Sequence, residues 1–207
     1  RRAYFMGPHV LDDGPTPHPH DNFPYVPVWG SREDSLEKPE RMIFDLDPDE
    51  GLGFEQVKAG AIELRNVLDS VGLKSFPLLT GGKGIHVIAP IARTREWPEV
   101  KAFCRGLAEM VAKSAPDRFV AQASKAKRAG RIFIDWLRNE RGSTAVAPYS
   151  PRRRPNAPVA TPISWSELPH FDSAAPFTIK DLSAATGVKS SDIVKKLFMK
   201  GMMVTAN

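Results

Sequence analysis

The sequence predicts an α+β fold, one sheet with helices packed on one face and acidic side chains emerging from the other. Three observations carry this. Short runs rich in β-branched and aromatic residues, near 42–47, 75–79, 85–90, 131–137 and 144–148, read as strands. Two amphipathic helices intervene. The runs at 42–47 and 131–137 each deliver carboxylates close to their ends, next to apolar residues that can anchor a strand. Alternating strands and helices of this kind build a layered domain around one core.

Taken in order, residues 1–27 are rich in Pro and His (His9, His18, His20) and read as an irregular segment. His18 and His20 flank Pro19, and a solvated loop is expected there. The run Met42-Ile43-Phe44-Asp45-Leu46-Asp47-Pro48 follows as a strand. From Phe54 to Val71 the apolar residues Val57, Ala61, Leu64, Leu68 and Val71 recur at helical spacing, and Gly72 ends the helix. From Trp97 to Lys113, Val100, Phe103, Cys104, Leu107, Met110 and Val111 repeat the pattern. Cys104 is a core residue in this pattern, and a lone cysteine makes no internal disulfide. The Arg- and Pro-rich stretch from Arg152 to Pro162 is extended, wrapping the core or touching nucleic acid. At the end, Thr178 with Asp181 forms a capping-box pattern and Gly187 terminates a first short helix. Ser190 or Ser191 caps a second, carrying Ile193, Val194, Leu197 and Phe198 and closed by Gly201.

The chemistry concentrates in three segments. Strand alternation puts Asp45 and Asp47 on one face, and like charges so close repel unless a cation lies between them. Hard carboxylate oxygens suit Mg²⁺ or Mn²⁺. A D-x-D pair also solvates a turn, as Asp-Pro-Asp-Glu-Gly would. Asp135, in Phe133-Ile134-Asp135-Trp136-Leu137-Arg138-Asn139, is the third acid. Three converging carboxylates suffice to hold one or two divalent ions, with Arg138 and Asn139 beside them as phosphate and hydroxyl donors; a surface ion pair is the plain alternative. Between these acids, Thr80-Gly81-Gly82-Lys83-Gly84-Ile85-His86 lets the backbone approach an anion, with Lys83 as a point charge. It lacks the spacing of a Walker A loop and is followed by a strand, so a hairpin turn is its other reading.

In their collinear order these segments resemble the polymerase domain of bacterial ATP-dependent DNA ligase D, of the archaeo-eukaryotic primase superfamily. The resemblance runs from about Val28 to Leu168, through Trp29-Gly30-Ser31, the FDLDP strand, GGKGIHV, Ser124-Lys125-Ala126-Lys127-Arg128, FIDWLRN, Thr144 to Ser150, and Trp165 to Leu168. It implies a primase-polymerase-like sheet and template-directed nucleotidyl transfer to DNA ends in non-homologous end joining, often with ribonucleotides preferred. It implies Asp45, Asp47 and Asp135 as catalytic metal ligands for Mn²⁺ or Mg²⁺. Thr80, Lys83, His86, Arg138, Asn139 and Lys125 become nucleotide contacts, with Thr80 standing where the family usually has Ser. Its partners would be a nucleoside triphosphate, a DNA primer-template or broken DNA end, a DNA ligase and an end-binding protein, in a bacterial, cytoplasmic, nucleoid-associated setting. The alternative is a shortened core that binds nucleotide or nucleic acid without turnover. Family members carry more chain before the first acidic motif, with basic residues for the 5′-phosphate, and a His where this sequence has Val26-Pro27-Val28. The last segment, from Pro176 on, resembles the small N-terminal helical module of bacterial translation initiation factor two. The expected division is an irregular segment 1–27, a catalytic core 28–173 and a helical module 174–207.

Charge fits a polyphosphate or nucleic-acid partner. The 207-residue chain carries a net charge of +5. Ser124 to Arg154 holds nine basic residues against Asp135 and Glu140, a local excess of seven that exceeds the whole chain's. No apolar run approaches the length of a membrane span.

Overall fold

A computed structural model describes residues 27–152 and 154–199. The irregular segment expected over 1–27, with its histidines, lies almost wholly outside the described residues, as does the closure of the last helix at Gly201.

The chain opens with β1 (Pro27–Val28), then β2 (Ser31–Arg32) and β3 (Ser35–Pro39), which pair as a hairpin. The strand β4 (Arg41–Pro48) leads to helix α1 (Phe54–Ser70). Next come β5 (Phe76–Leu79), β6 (Ile85–Pro90), helix α2 (Trp97–Ser114), β7 (Phe119–Val120) and β8 (Ile132–Asp135). After them follow β9 (Ala145–Val146), β10 (Thr161–Pro162) and two short helices, α3 (Ile179–Thr186) and α4 (Ser190–Met199). Six strands form the main sheet in the order β10-β5-β6-β4-β8-β7, antiparallel throughout except for the parallel β7–β8 pair.

Alternation along β4 divides the molecule. Met42, Phe44 and Leu46 are buried in one cluster with Val57, Ala61, Leu64 and Leu68 of α1 and Val100, Cys104, Leu107 and Val111 of α2. Period 2 then leaves Ile43, Asp45 and Asp47 on the opposite face, the division expected from the sequence. Gln56 accepts from the backbone N–H of Gly53 at 2.7 Å to start α1, and Glu99 accepts from Glu96 at 3.2 Å to start α2. The buried Lys58 donates to the Phe171 carbonyl at 2.9 Å and tethers the turn at Leu168–His170 to α1.

The second face of the sheet is covered by chain with little regular structure. β9 pairs with β1, and its Val146 packs with Ala160 of the following segment on Leu78 and Ile88. Isolated bridges join Pro151 to Val159 and Pro158 to Thr178, so the Arg- and Pro-rich stretch does wrap the core. Thr178 and Asp181 cap α3 reciprocally, and Gly187 ends it at φ 68°. Ile179 is buried with Ala157 and Val159, so α3 docks on that wrapping segment. Among the described residues no helix is long and apolar enough to cross a membrane.

Candidate active site

Three neighbouring strands bring the first acids together. Asp45 of β4 lies opposite His86 of β6 on one side and opposite Asp135 of β8 on the other. Cross-strand partners project from the same face, so the three side chains crowd one spot. His86 Nε2 is 3.4 Å from Asp45 Oδ2. Arg138 spans the two acids, its Nη2 3.5 Å from Asp45 and its Nε 3.2 Å from Asp135. Asp135 also accepts the Leu137 backbone N–H at 2.9 Å.

This setting splits the two carboxyls. Burial pushes Asp45 up, but the opposing pull of His86, Arg138 and Arg152 wins and holds it below the usual range. Burial raises Asp135, with the charge of Asp45 adding to it and Arg138 opposing. Asp47 shares the face of Asp45 but its Oδ2 meets Arg128 Nη1 at 2.9 Å, while the Arg128 guanidinium lies 3.9 Å from the Phe133 ring centroid. Among the described residues no three His, Cys, Asp or Glu side chains form a ready-made metal cage.

The glycine loop closes the adjacent side. The Thr80 hydroxyl donates to the Gly84 carbonyl at 2.8 Å and draws the turn together. Gly81 adopts φ 68°, a left-handed conformation that favours glycine, and its N–H donates to the Ala174 carbonyl at 2.8 Å. Gly84 passes so close to β4 that a Cβ there would lie 2.3 Å from the Leu46 carbonyl oxygen.

Thr80, Lys83, His86 and Arg138 line a cavity of about 230 Å³ with Asp45 and Asp47. Its far wall comes from the segment over the sheet, through Thr144, Val146, Arg152 and Arg154. His86 Nδ1 is buried there without a hydrogen-bond partner among the described residues, a polar atom that a ligand would satisfy. Three sequence candidates do not line the cavity: Asp135, which sits behind Asp45 on the neighbouring strand, Lys125 and Asn139. Lys125 is exposed on a short turn and does not line the cavity. Asn139 is buried and turned to the backbone, accepting from Ile43 N–H and donating to the carbonyls of Ile43 and Trp136. The arginines Arg152 and Arg154 were missed as site residues. The local charge excess and the wrapping stretch pointed at their segment, but no periodicity points at the residues themselves.

A family profile described as LigD, primase-polymerase domain, matches residues 25–193. The chain belongs to the LigD primase-polymerase domain family. It is 36% identical over 155 residues to the multifunctional non-homologous end joining protein LigD of Pseudomonas aeruginosa, covering 75% of this chain and 18% of that protein. It is 32% identical over 143 residues to the bifunctional non-homologous end joining protein LigD of Bacillus subtilis, covering 69% of this chain and 23% of that one. The chain thus spans about a fifth of the length of these relatives. Among solved structures it is similar to the polymerase domain from Mycobacterium tuberculosis ligase D in complex with DNA, with a TM-score of 0.64 and 28% identity, over 80% of this chain and 53% of that one. The family match takes in α3 and the start of α4, so it reaches the tail as well as the sheet.

Proposed function

We propose that this LigD-type domain performs metal-dependent, template-directed nucleotidyl transfer at DNA ends in non-homologous end joining, within residues 28–173, with 174–207 as an attached helical module. One observation carries the reading. Asp45 and Asp47 line a cavity whose other charged walls are cationic, from Lys83, Arg138, Arg152 and Arg154, and Asp135 lies across the strands from Asp45. Acids alone would suit a free cation, and cations alone a free anion. Both together suit a nucleoside triphosphate carried with its metal.

The donor set fits a hard divalent ion such as Mn²⁺ or Mg²⁺. Asp45 and Asp135 are adjacent oxygen donors, Asp45 is held ionised by its surroundings, and Asp47 lies on the same strand face. When bound there, the ion supplies Lewis-acid stabilisation of phosphate charge and acidifies the attacking hydroxyl. The chain's own residues orient and neutralise. Lys83, Arg152 and Arg154 offset the triphosphate charge from opposite walls. Arg138 balances the acid pair and faces the same space. His86 keeps Nδ1 for a ligand oxygen or hydroxyl, while Thr80 preserves the shape of the loop. A broken DNA end or primer-template is the proposed second substrate, with the basic segment Ser124–Arg154 tracking its backbone.

A second reading, a binding module without turnover, is favoured by the arginines already paired with all three acids, Arg128 with Asp47 and Arg138 with Asp45 and Asp135. Extension of a labelled primer-template with Mn²⁺ and each ribonucleotide or deoxynucleotide, beside an Asp135→Ala control, separates them. Template-matched extension that vanishes in the control supports transfer. Nucleotide binding by folded protein without extension supports the binding module.

A further inference from the structure

The register of β4 with β8 would carry Leu137 opposite Ile43, but the ladder stops at Asp135. There the chain turns out, held by Leu137 N–H on Asp135 Oδ1 at 2.9 Å and by Asn139 N–H on the Trp136 carbonyl at 3.2 Å. The missing rung is filled by a side chain. Ile43 N–H donates to Asn139 Oδ1 at 2.8 Å, and Asn139 Nδ2 donates back to the Ile43 carbonyl at 2.7 Å and to the Trp136 carbonyl at 2.9 Å. Asn139 is 1% exposed.

We propose that Asn139 is a positioning residue, whose amide replaces a β-ladder rung and thereby fixes Arg138 across Asp45 and Asp135. The turn Trp136–Asn139 is anchored at one end by Asp135 and at the other by Asn139, and Arg138 lies between the anchors. Only a side chain with an acceptor and a donor in one plane reproduces a peptide group here. Aspartate lacks the donor and leucine lacks both, and either leaves buried groups of Ile43 unpaired. Asn139 therefore acts through Arg138 and touches neither nucleotide nor metal.

The test is a double-mutant cycle in primer extension, with Asn139→Ala, Arg138→Ala and the double variant. Its activity readout rests on the nucleotidyl-transfer reading. Near-UV circular dichroism and melting curves give the folded fraction at the assay temperature. Asn139→Ser, with room for a bridging water, substitutes for Asn139→Ala if that variant is not folded. Each single variant is expected to lower kcat/KM roughly ten- to a hundred-fold, as loss of a supporting contact does at such sites. The double variant is expected to match Arg138→Ala within about threefold, since residues acting as a unit are non-additive. Losses that multiply, or a folded Asn139 variant as active as wild type, overturn the proposal. If wild type extends no primer, that failure belongs to the transfer reading alone, and the same cycle is read in Mn²⁺-dependent affinity for a fluorescent nucleoside triphosphate.

Discussion

Gly84 has no room for a side chain, because a Cβ there would collide with the Leu46 carbonyl. Gly84→Ala must shift either the loop or β4, and overpacking of this kind costs about 1–3 kcal/mol. A melting curve reads the loss, and nucleotide affinity should fall with it, since Lys83 and Thr80 ride on the same turn. Asp135 carries the opposite lesson. Its carboxyl is raised above 3.8 chiefly by burial, so the ionised form weakens the fold. A group with a raised folded pKa stabilises below its unfolded pKa and loses that contribution as pH rises through the folded value. Asp135→Asn, which can still accept the Leu137 N–H, should therefore melt higher than wild type at pH 7. The gap should close as pH falls below the ordinary aspartate range, and primer extension should be lost throughout. Cys104 is buried in the core and its thiol is pushed up to about 12 by desolvation. At pH 8 roughly one thiol in ten thousand is ionised, so a disulfide reagent should label native protein no faster than it unfolds.

The long elements were legible because their periods are long enough to read. α1 and α2 end within one residue of the positions that the apolar spacing marks, and β6 spans the expected 85–90. β8 is shorter than the expected 131–137, since the chain leaves the ladder at Asp135 and the Asn139 amide takes over. The two-residue strands β1, β2, β7, β9 and β10 are too short to carry any alternation, and of these only β9 falls in an expected run. The tail reads correctly as helix, turn, helix, but its attachment was invisible. Gly81 N–H reaches Ala174, Val159 N–H reaches Phe177 at 2.8 Å, and Ile179 fills the space beside Ala157 and Val159. These contacts brace both the glycine loop and the wall bearing Arg152 and Arg154. Ile179→Ala should cost roughly 2–5 kcal/mol, the usual range for emptying a buried aliphatic site. It should also weaken nucleotide binding while leaving the β4–β6–β8 registers intact. Thermal melting and a fluorescent-nucleotide titration check the two together.

At the scale of the whole molecule, the acid face was legible because alternation alone separates Asp45 and Asp47 from Phe44 and Leu46. That β4 lies between β6 and β8 was not, because pairing partners are chosen by the whole sheet and not by either strand. The cavity is likewise a product of closure, with one wall from the sheet and the other from a wrapping segment whose charge excess was visible but whose fold was not. That charge should govern affinity. Binding of a DNA end should fall steeply with added salt, and Arg154→Ala should lower the slope of log K against log salt by about one. A slope unchanged by the substitution would remove Arg154 from the phosphate path. The order of the strands has one more consequence, for the protein as it is made. β5 pairs on one side with β6, and its other side is covered by Thr161 and Pro162 of β10 and by Ile163, whose N–H donates to the Pro77 carbonyl at 3.1 Å. The edge residues Phe76–Leu79 leave the ribosome long before that cover exists, and an uncovered apolar edge is a template for unwanted pairing. A nascent chain stalled short of β10 should thus be the form that draws chaperones. Once complete, Pro162 blunts the same edge, because it has no N–H to offer a further strand.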